Sequence, residues 1–135
     1  MSDTVPTPPH GKILLVDDDK FLLEMYTMKF TQQGFEPQGY LSAKEALDVL
    51  VKGFVPQAIL FDLIMPELDG FAFLEQLRSQ KLAPNALKVA LTNQNSESDQ
   101  MHVKDLGADL CLVKASMIPS EVVNTVSAAL AKRTS

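Results

Sequence analysis

Short apolar runs alternate along this chain with longer segments of helical periodicity. Four of the runs have no polar alternation, which is typical of strands buried on both faces of a parallel sheet; they cover residues 13–16, 58–61, 89–91 and 110–113. Residues 38–41 form a weaker candidate. Because Pro37 lacks a backbone donor for the ladder, the sequence predicts that this strand lies at an edge of the sheet.

The segments between the runs have the spacing and the end signals of helices. Apolar positions at helical spacing begin at Phe21, and Gly34 provides a stop. Ser42 and Glu45 form a capping box, and Gly53 ends the helix that follows. The methionines at positions 25, 28 and 101 share the helical spacing, so we expect them to fill the core. Three further helices are predicted: one from the stripe at Phe71, Leu74 and Leu77, a weak one over residues 96–106, and one opened by Pro119.

The strand–helix unit repeated five times predicts a doubly wound, three-layer α/β fold. A parallel sheet with right-handed crossovers would then carry helices on both faces. The chain has 135 residues, 46% of them apolar, which suffices for one domain with a hydrophobic core. Residues 1–11 are polar and rich in proline, so we expect a flexible tail there and one domain over residues 12–132.

The charge and the cysteine content narrow the class of protein. A net charge of −5 disfavours direct nucleic-acid binding, which uses a basic face. No apolar run is long enough for membrane insertion, and the amino-terminus lacks the features of a secretory signal. Cys111 is the only cysteine, so no internal disulfide is possible and a reduced, cytoplasmic setting is predicted.

Polar side chains follow each of the four apolar runs where the predicted strand ends. The first run is followed by Asp17 and Asp18, the second by Asp62, the third by Thr92 and the fourth by Lys114. The carboxyl ends of parallel strands share one edge of a sheet, and ligands of open α/β sheets bind there. We therefore expect these side chains to meet in one crevice.

The residue types in this crevice indicate metal-assisted phosphoryl chemistry. Three carboxylates close together repel one another and need a cation, and oxygen-rich sites suit Mg²⁺, with Mn²⁺ as a substitute. Lys114 supplies an ammonium and Thr92 a hydroxyl, the groups that stabilise charge on a phosphoryl group in transit. Asp62 is left as the nucleophile, since a carboxylate can form an acyl phosphate.

Four stretches of the sequence resemble the receiver domains of two-component response regulators: ILLVDDD, ILFDLIMPELDG, VALT and GADLCLVK. The resemblance covers roughly residues 12–132 and implies a flavodoxin-like fold with strand order 2-1-3-4-5. It also implies Mg²⁺-dependent transfer of a phosphoryl group from a phosphohistidine on a sensor histidine kinase or histidine phosphotransfer protein. Such a chain is a phosphoacceptor switch that assists its own phosphorylation and dephosphorylation, and it is not an enzyme in the usual sense.

The resemblance also implies a role for each matching residue. Asp62 is the phosphoacceptor. Asp18 and Asp62 bind Mg²⁺ directly, Asp17 binds it through water, and the main-chain oxygen of Ile64 completes the protein's share. Asp19 is expected only to cap the first helix. The resemblance implies that Thr92 and Lys114 contact the phosphoryl oxygens.

Four positions depart from the commonest pattern of the family. Ala115 follows the lysine where many members have a proline with a cis peptide; a cis bond before a non-proline residue costs ~3 kcal/mol, so we expect a trans bond. Cys111 replaces the aromatic residue that turns inward on activation, and Asn93 stands where alanine or glycine is usual. Ile64 cannot hydrogen-bond an attacking water. These departures affect switching and phosphoryl lifetime, and they leave the acceptor chemistry intact.

Other functions fit the sequence less well. A degenerate receiver that acts as an unphosphorylated interaction scaffold would not need the retained carboxylates, threonine and lysine. A phosphatase would have a second aspartate at position 64, and three aspartates would repel the phosphate of a flavin. Few residues follow the last predicted helix, so we expect no output domain on this chain; it acts on an unknown downstream protein or relays phosphate, or it belongs to a longer regulator or hybrid kinase.

Overall fold

The computed structural model describes residues 11–134, in which five strands alternate with five α-helices. The elements are β1 (Lys12–Val16), α1 (Lys20–Gln32), β2 (Glu36–Tyr40), α2 (Ala43–Val51), β3 (Ala58–Asp62), α3 (Gly70–Ser79), β4 (Leu87–Thr92), α4 (Glu97–Asp105), β5 (Leu110–Val113) and α5 (Pro119–Thr134). A short 3₁₀ turn, Lys114–Ser116, lies between β5 and α5. Residues 1–10 of the predicted flexible tail lie outside the described residues.

All five strands are parallel, in the order β2-β1-β3-β4-β5. β2 lies at an edge of the sheet, as its proline indicated, and the predicted doubly wound α/β fold is confirmed. α1 and α5 pack on one face of the sheet, while α2, α3 and α4 pack on the other. None of the helices between residues 11 and 134 has the length and apolar character needed to cross a membrane.

Alternate residues of the central strands face the two helical layers. In β1, Ile13 and Leu15 pack with α1 and α5, whereas Leu14 and Val16 pack with the other layer; all four are at most 1% exposed. This burial on both faces explains the apolar runs without polar alternation. Truncation of such a side chain to alanine typically costs about 2–5 kcal/mol. The strands are thus firmly held, and so are the residues at their ends.

Side-chain caps begin four of the helices. They are Asp19, Ser42, Asp69 and Ser96, whose side-chain oxygens accept hydrogen bonds from backbone N–H groups of the first turn. Gly34 follows α1 with a φ of 91°, a left-handed conformation that glycine adopts without strain. Two of the caps, before α1 and α3, stand in the loops that leave β1 and β3, so they fix the path of the chain beside the strand ends.

Some details of the sequence prediction are wrong. β4 begins at Leu87, two residues before the predicted start, because the half-buried Lys88 belongs to the strand and interrupts the apolar run. Met28 and Met101 are exposed and do not fill the core. In α4 only Val103 is buried. The buried face of α1 is formed instead by Leu23, Tyr26 and Phe30.

Candidate functional site

The predicted site residues lie at the carboxyl edge of the sheet. Asp17 directly follows β1, Asp62 and Thr92 end β3 and β4, and Lys114 directly follows β5. Although they are polar, Asp17, Asp62 and Thr92 are only 1%, 3% and 4% exposed. Because β1, β3 and β4 are neighbours in parallel register, side chains far apart in sequence reach the same crevice.

Lys114 lies between two of the carboxylates. Its Nζ atom donates hydrogen bonds to Asp17 Oδ2 and to Asp62 Oδ2, both at 3.1 Å. Burial lowers the pKa of the Lys114 ammonium, but the two neighbouring carboxylates raise it more, and the net shift is upward. The lysine is therefore charged at neutral pH and balances part of the buried negative charge.

The charged form of Asp17 is disfavoured by its surroundings. Burial raises the pKa of its carboxyl group, and Asp62 adds to that rise; the backbone N–H of Asp19 and the Lys114 ammonium lower the pKa, yet the net shift is upward. The Asp19 N–H donates to Asp17 Oδ1 at 2.9 Å. Lys114 alone thus does not fully offset the burial of this carboxylate, and a further cation nearby would stabilise its charged form.

Asp18 completes a cluster of three carboxylates with Asp17 and Asp62. One carboxylate oxygen from each residue lies within 4.8 Å of the others, and Asp18 is exposed while its two neighbours are buried. This spacing of oxygen donors fits a divalent cation such as Mg²⁺, which keeps several waters when bound. The Ile64 N–H donates to Asp62 Oδ1 at 3.3 Å, and the role of the Ile64 main-chain oxygen stays a prediction.

Thr92 is close to the carboxylates in the fold, but its hydroxyl is engaged elsewhere. Thr92 Oγ1 donates to the carbonyl of Gln94 at 3.2 Å and accepts from the Gln94 N–H at 3.3 Å. These bonds hold the hydroxyl within the loop between β4 and α4. Contact with a phosphoryl oxygen therefore requires the hydroxyl to leave the Gln94 carbonyl, which couples such contact to the conformation of this loop.

Gly70 allows α3 to begin directly against the end of β3. A Cβ atom at this position would lie 2.6 Å from the Asp62 carbonyl oxygen and 2.8 Å from Leu63 Cα, closer than van der Waals contact permits. The Gly70 N–H also donates to the Leu63 carbonyl at 2.9 Å. Asp69 caps α3, and Gly70 is the first residue of the helix. The structural reason for the glycine is close packing against the backbone of Asp62 and Leu63.

Three of the residues that depart from the family pattern lie in β5 or directly after β4 or β5. The bond before Ala115 is trans, as predicted, and the residue belongs to the 3₁₀ turn. Cys111 is half-buried, and burial raises the pKa of its thiol, with a further rise from Asp99 and an opposing effect of Lys104. Asn93 is exposed.

The sequence interpretation missed Tyr26, which is buried beside the site. Burial raises the pKa of its phenol to about 12; Lys114 lowers that pKa, while Asp17 and Asp62 raise it. The phenol thus lies within the electrostatic reach of the site and remains neutral. A signal was present in the sequence, because Tyr26 follows the capping residue Asp19 by seven positions, or about two helical turns.

Comparison with known proteins gives a consistent result. The family model for the response regulator receiver domain matches residues 13–126. The regulatory protein VanRc of Enterococcus gallinarum is 31% identical over 119 residues, which cover 88% of this chain and 49% of that protein. The chain spans about half the length of the curated relatives it matches.

Solved receiver structures have the same architecture. The receiver domain of the Francisella response regulator 1452 is 30% identical, with a TM-score of 0.79 and coverage of 92% of this chain and 98% of that one. The chemotaxis protein CheY4 of Vibrio cholerae is 27% identical, also with a TM-score of 0.79, and the match covers 87% of this chain and 97% of that one. The structural similarity therefore extends over nearly the whole sheet and both helical layers.

Proposed function

Because the chain belongs to the response regulator receiver domain family, we propose that Asp62 accepts a phosphoryl group from a phosphohistidine of a sensor histidine kinase or a histidine phosphotransfer protein. One observation carries this proposal: the Asp62 carboxylate is buried at the end of a central strand and accepts a hydrogen bond from Lys114. A carboxylate held beside a fixed cation is well placed to attack an anionic phosphorus centre.

In the proposed reaction, a carboxylate oxygen of Asp62 attacks the phosphorus atom in line with its bond to the histidine nitrogen. The new O–P bond forms as the N–P bond breaks, and the electron pair of that bond stays on the imidazole nitrogen, which then takes a proton. Lys114 and the Thr92 hydroxyl donate hydrogen bonds to the phosphoryl oxygens. These residues act by position and charge, so the chain assists the transfer and retains the phosphoryl group until hydrolysis.

The carboxylate cluster fits Mg²⁺, or Mn²⁺ in its place. Asp18 and Asp62 would be direct ligands, with Asp17 bound through water and the main-chain oxygen of Ile64 as the last protein ligand. When bound, the cation neutralises charge on the phosphoryl oxygens. The spacing of the three carboxylates supports this assignment. The raised pKa of Asp17 supports it as well, because burial disfavours the charged form of this carboxyl group and Lys114 does not fully offset that effect.

The proposed output is a change in contacts with a downstream protein partner. The phosphorylated receiver comprises residues 12–132 and functions in the cytoplasm, where sensor kinases hold their phosphohistidines. The alternative of an unphosphorylated scaffold is not favoured, because the acidic cluster, the threonine and the lysine all lie at the same edge of the sheet.

Acetyl phosphate provides a test that requires no knowledge of the kinase. Incubation with Mg²⁺ should add a single labile phosphoryl group, visible by intact-mass measurement, and Asp62→Asn should abolish the adduct. Asp48→Asn is the matched control, because Asp48 is an exposed residue of α2 that pairs with Lys52, and it should label like the native chain. Equal labelling of Asp62→Asn would contradict the acceptor assignment, and labelling in excess EDTA would contradict the metal assignment.

A further inference from the structure

A cavity of about 380 Å³ lies near the amino edge of the sheet, opposite the edge that carries Asp62. The end of α3, the loop into β4, the start of β4 and the end of α4 line it. Its apolar lining comes from Pro84 and from four leucines: Leu74, Leu77, Leu82 and Leu106. The volume falls within the range of roughly 300–1,000 Å³ that is usual for small-molecule sites.

The charged residues of the cavity all have the same sign. Arg78, Lys81 and Lys88 line it, and no acidic side chain does so in the described part of the chain. The chain as a whole has a net charge of −5, so this local set of basic groups runs against the overall charge. An apolar cavity with a small number of convergent cations suits a ligand that has one apolar part and one anionic part.

Lys88 is the most enclosed of these cations. Its side chain projects from a central strand of the sheet, and its Nζ donates to the carbonyls of Ala83 and Ala86, both at 3.2 Å. An ammonium has three donors, so one remains for a ligand beyond these two bonds. The two partners are neutral, and they therefore satisfy hydrogen bonds without balancing the charge.

The ionisation of Lys88 agrees with this geometry. Burial lowers the pKa of the ammonium; Asp109 raises it and Arg133 lowers it, and the net shift is downward. The Asp109 carboxylate is engaged by the backbone N–H of Lys88 at 2.8 Å. A carboxylate that entered the cavity could bond to the ammonium itself and add to the effect of Asp109, so it would raise this pKa.

Arg78 occupies a fixed position on the cavity wall. Its Nη2 donates to the Asp105 carbonyl at 2.7 Å, which joins the end of α3 to the end of α4. A guanidinium has five N–H donors, so several remain for an anion. Lys81 lies in the loop after α3 with a left-handed φ of 56° and is exposed, so its ammonium is accessible from solvent.

We propose that this cavity binds a small amphiphilic carboxylate. The apolar chain of the ligand packs against the leucines. Its carboxylate accepts a hydrogen bond from Lys88 and is attracted by the positive charges of both Arg78 and Lys81. The size of the cavity favours a small molecule over a protein segment. The site is separate from the carboxyl edge of the sheet, so it does not depend on the proposed phosphoryl chemistry.

Octanoate tests the proposal on the full chain, with octan-1-ol as a neutral probe of the same length. Titration followed by amide chemical shifts should give saturable changes confined to residues 74–88 and 106–107. Octanoate should bind roughly tenfold more tightly than octanol, on the scale of one charge-assisted hydrogen bond. Lys88→Met should remove that advantage and leave octanol binding unchanged.

Two further variants keep the test decisive. Lys81→Asn removes an exposed charge, and asparagine tolerates the left-handed φ of this position. This variant should weaken octanoate binding, and it provides a test if Lys88→Met does not fold. Lys29→Met removes a lysine of α1, on the opposite face of the sheet, and should bind octanoate like the native chain. Equal affinity for both probes, changes scattered over the surface, or no saturable binding would each overturn the proposal.

Discussion

The two edges of the sheet each hold a partly buried lysine, and the surroundings of the two lysines differ. Lys114, at the carboxyl edge, donates to two carboxylates, and its pKa is raised. Lys88, near the amino edge, donates to two backbone carbonyls at nearly the same distances, and its pKa is lowered. Burial lowers the pKa of both, so the charge of the hydrogen-bond partner decides the direction of the net shift.

The two lysines show how a partly buried ammonium behaves with charged and with neutral hydrogen-bond partners. At the carboxyl edge, the two bonded carboxylates compensate the charge of the ammonium, so the lysine stays charged beside Asp62. Near the amino edge, the ammonium has hydrogen bonds but no bonded counter-charge, so it retains an unmet preference for an anion. Half-buried lysines near the ends of parallel strands can therefore have different roles. The hydrogen-bond acceptors of such a lysine must be identified before a role is assigned to it.

Removal of the lysine at each edge should produce the largest contrast. Lys114→Met should slow phosphoryl uptake from acetyl phosphate by roughly two to three orders of magnitude, the scale of one preorganised electrostatic group in a transition state. Lys88→Met should label at the native rate, because that side chain lies at the other end of the sheet. The rates follow from intact mass against time. Similar rates for the two variants would contradict the prediction that only the lysine at the carboxyl edge affects phosphoryl uptake.

Within the carboxyl edge, the neighbours of Asp62 should set the lifetime of the phosphoryl group. Hydrolysis needs a water in line with the Asp62–phosphorus bond. Ile64 is 65% exposed and offers that water no hydrogen bond, and Gln94 cannot act as a base. One lost contact of this kind costs ~1–3 kcal/mol, or roughly one to two orders of magnitude in rate.

The measurement is loss of the phosphoryl adduct after removal of the donor. The Ile64→Asn, Gln94→Glu double variant should lose the adduct faster than the native chain by that factor. Equal decay of the two proteins would show that these side chains do not limit the approach of water.

The pH dependence of the free energy of unfolding should differ in sign between the lysines. The folded-state pKa of Lys114 lies above the ordinary value of 10.5, so its stabilisation is complete below 10.5 and is lost as the pH rises through the folded-state pKa. The folded-state pKa of Lys88 lies below 10.5, so stability rises with pH between that pKa and 10.5.

Chemical denaturation across the alkaline range measures both effects. The native chain should lose stability above pH 10.5 through Lys114, and Lys114→Met should not show this loss. The native chain should gain stability as the pH rises towards 10.5 through Lys88, and Lys88→Met should not show this gain. Changes of the same sign in both variants would contradict the opposite pKa shifts.

The smallest expected effect is a redistribution of conformations on activation. Beryllofluoride with Mg²⁺ should draw the Thr92 hydroxyl from the Gln94 carbonyl and shift amide signals in helices 96–107 and 119–132, the output surface by analogy with the family. Signals near Lys88 should change little. The half-buried Cys111, which replaces an aromatic ring, should make this coupling differ from that of typical members. Perturbations confined to the carboxylate cluster would count decisively against an output surface on α4 and α5.

The sequence predicted the sheet and most of the candidate site because those features depend on local patterns. Strands buried on both faces leave apolar runs, and caps such as Asp19 and Ser42 mark the helix starts. Parallel topology then places the run-ending residues at one edge. Asp62 and Lys114 could thus be assigned to one crevice without any distance information.

Other features depend on tertiary structure that no local pattern specifies. The cavity near the amino edge requires the path of the loop after α3, where Lys81 and Ala83 have positive φ values of 56° and 44° that non-glycine residues rarely adopt. Lys88 interrupted an apolar run and so concealed the start of β4. The exposure of Met101 depends on how little of α4 is buried. The Thr92 bond to Gln94 arises from a turn between side chain and backbone, which sequence spacing does not reveal.

The strand order has a consequence for synthesis of the chain. The first three strands to leave the ribosome, β1, β2 and β3, are neighbours in the sheet and can pair before β4 exists. This early unit contains all three clustered carboxylates, but Lys114 follows Asp62 by 52 residues and the α5 side chains that cover α1 come later still. In the nascent sheet, the three carboxylates therefore repel one another without Lys114, and the surface of α1 that α5 covers is exposed. We expect co-translational folding to finish only after α5 emerges, which the release of an arrest peptide at increasing chain lengths would measure.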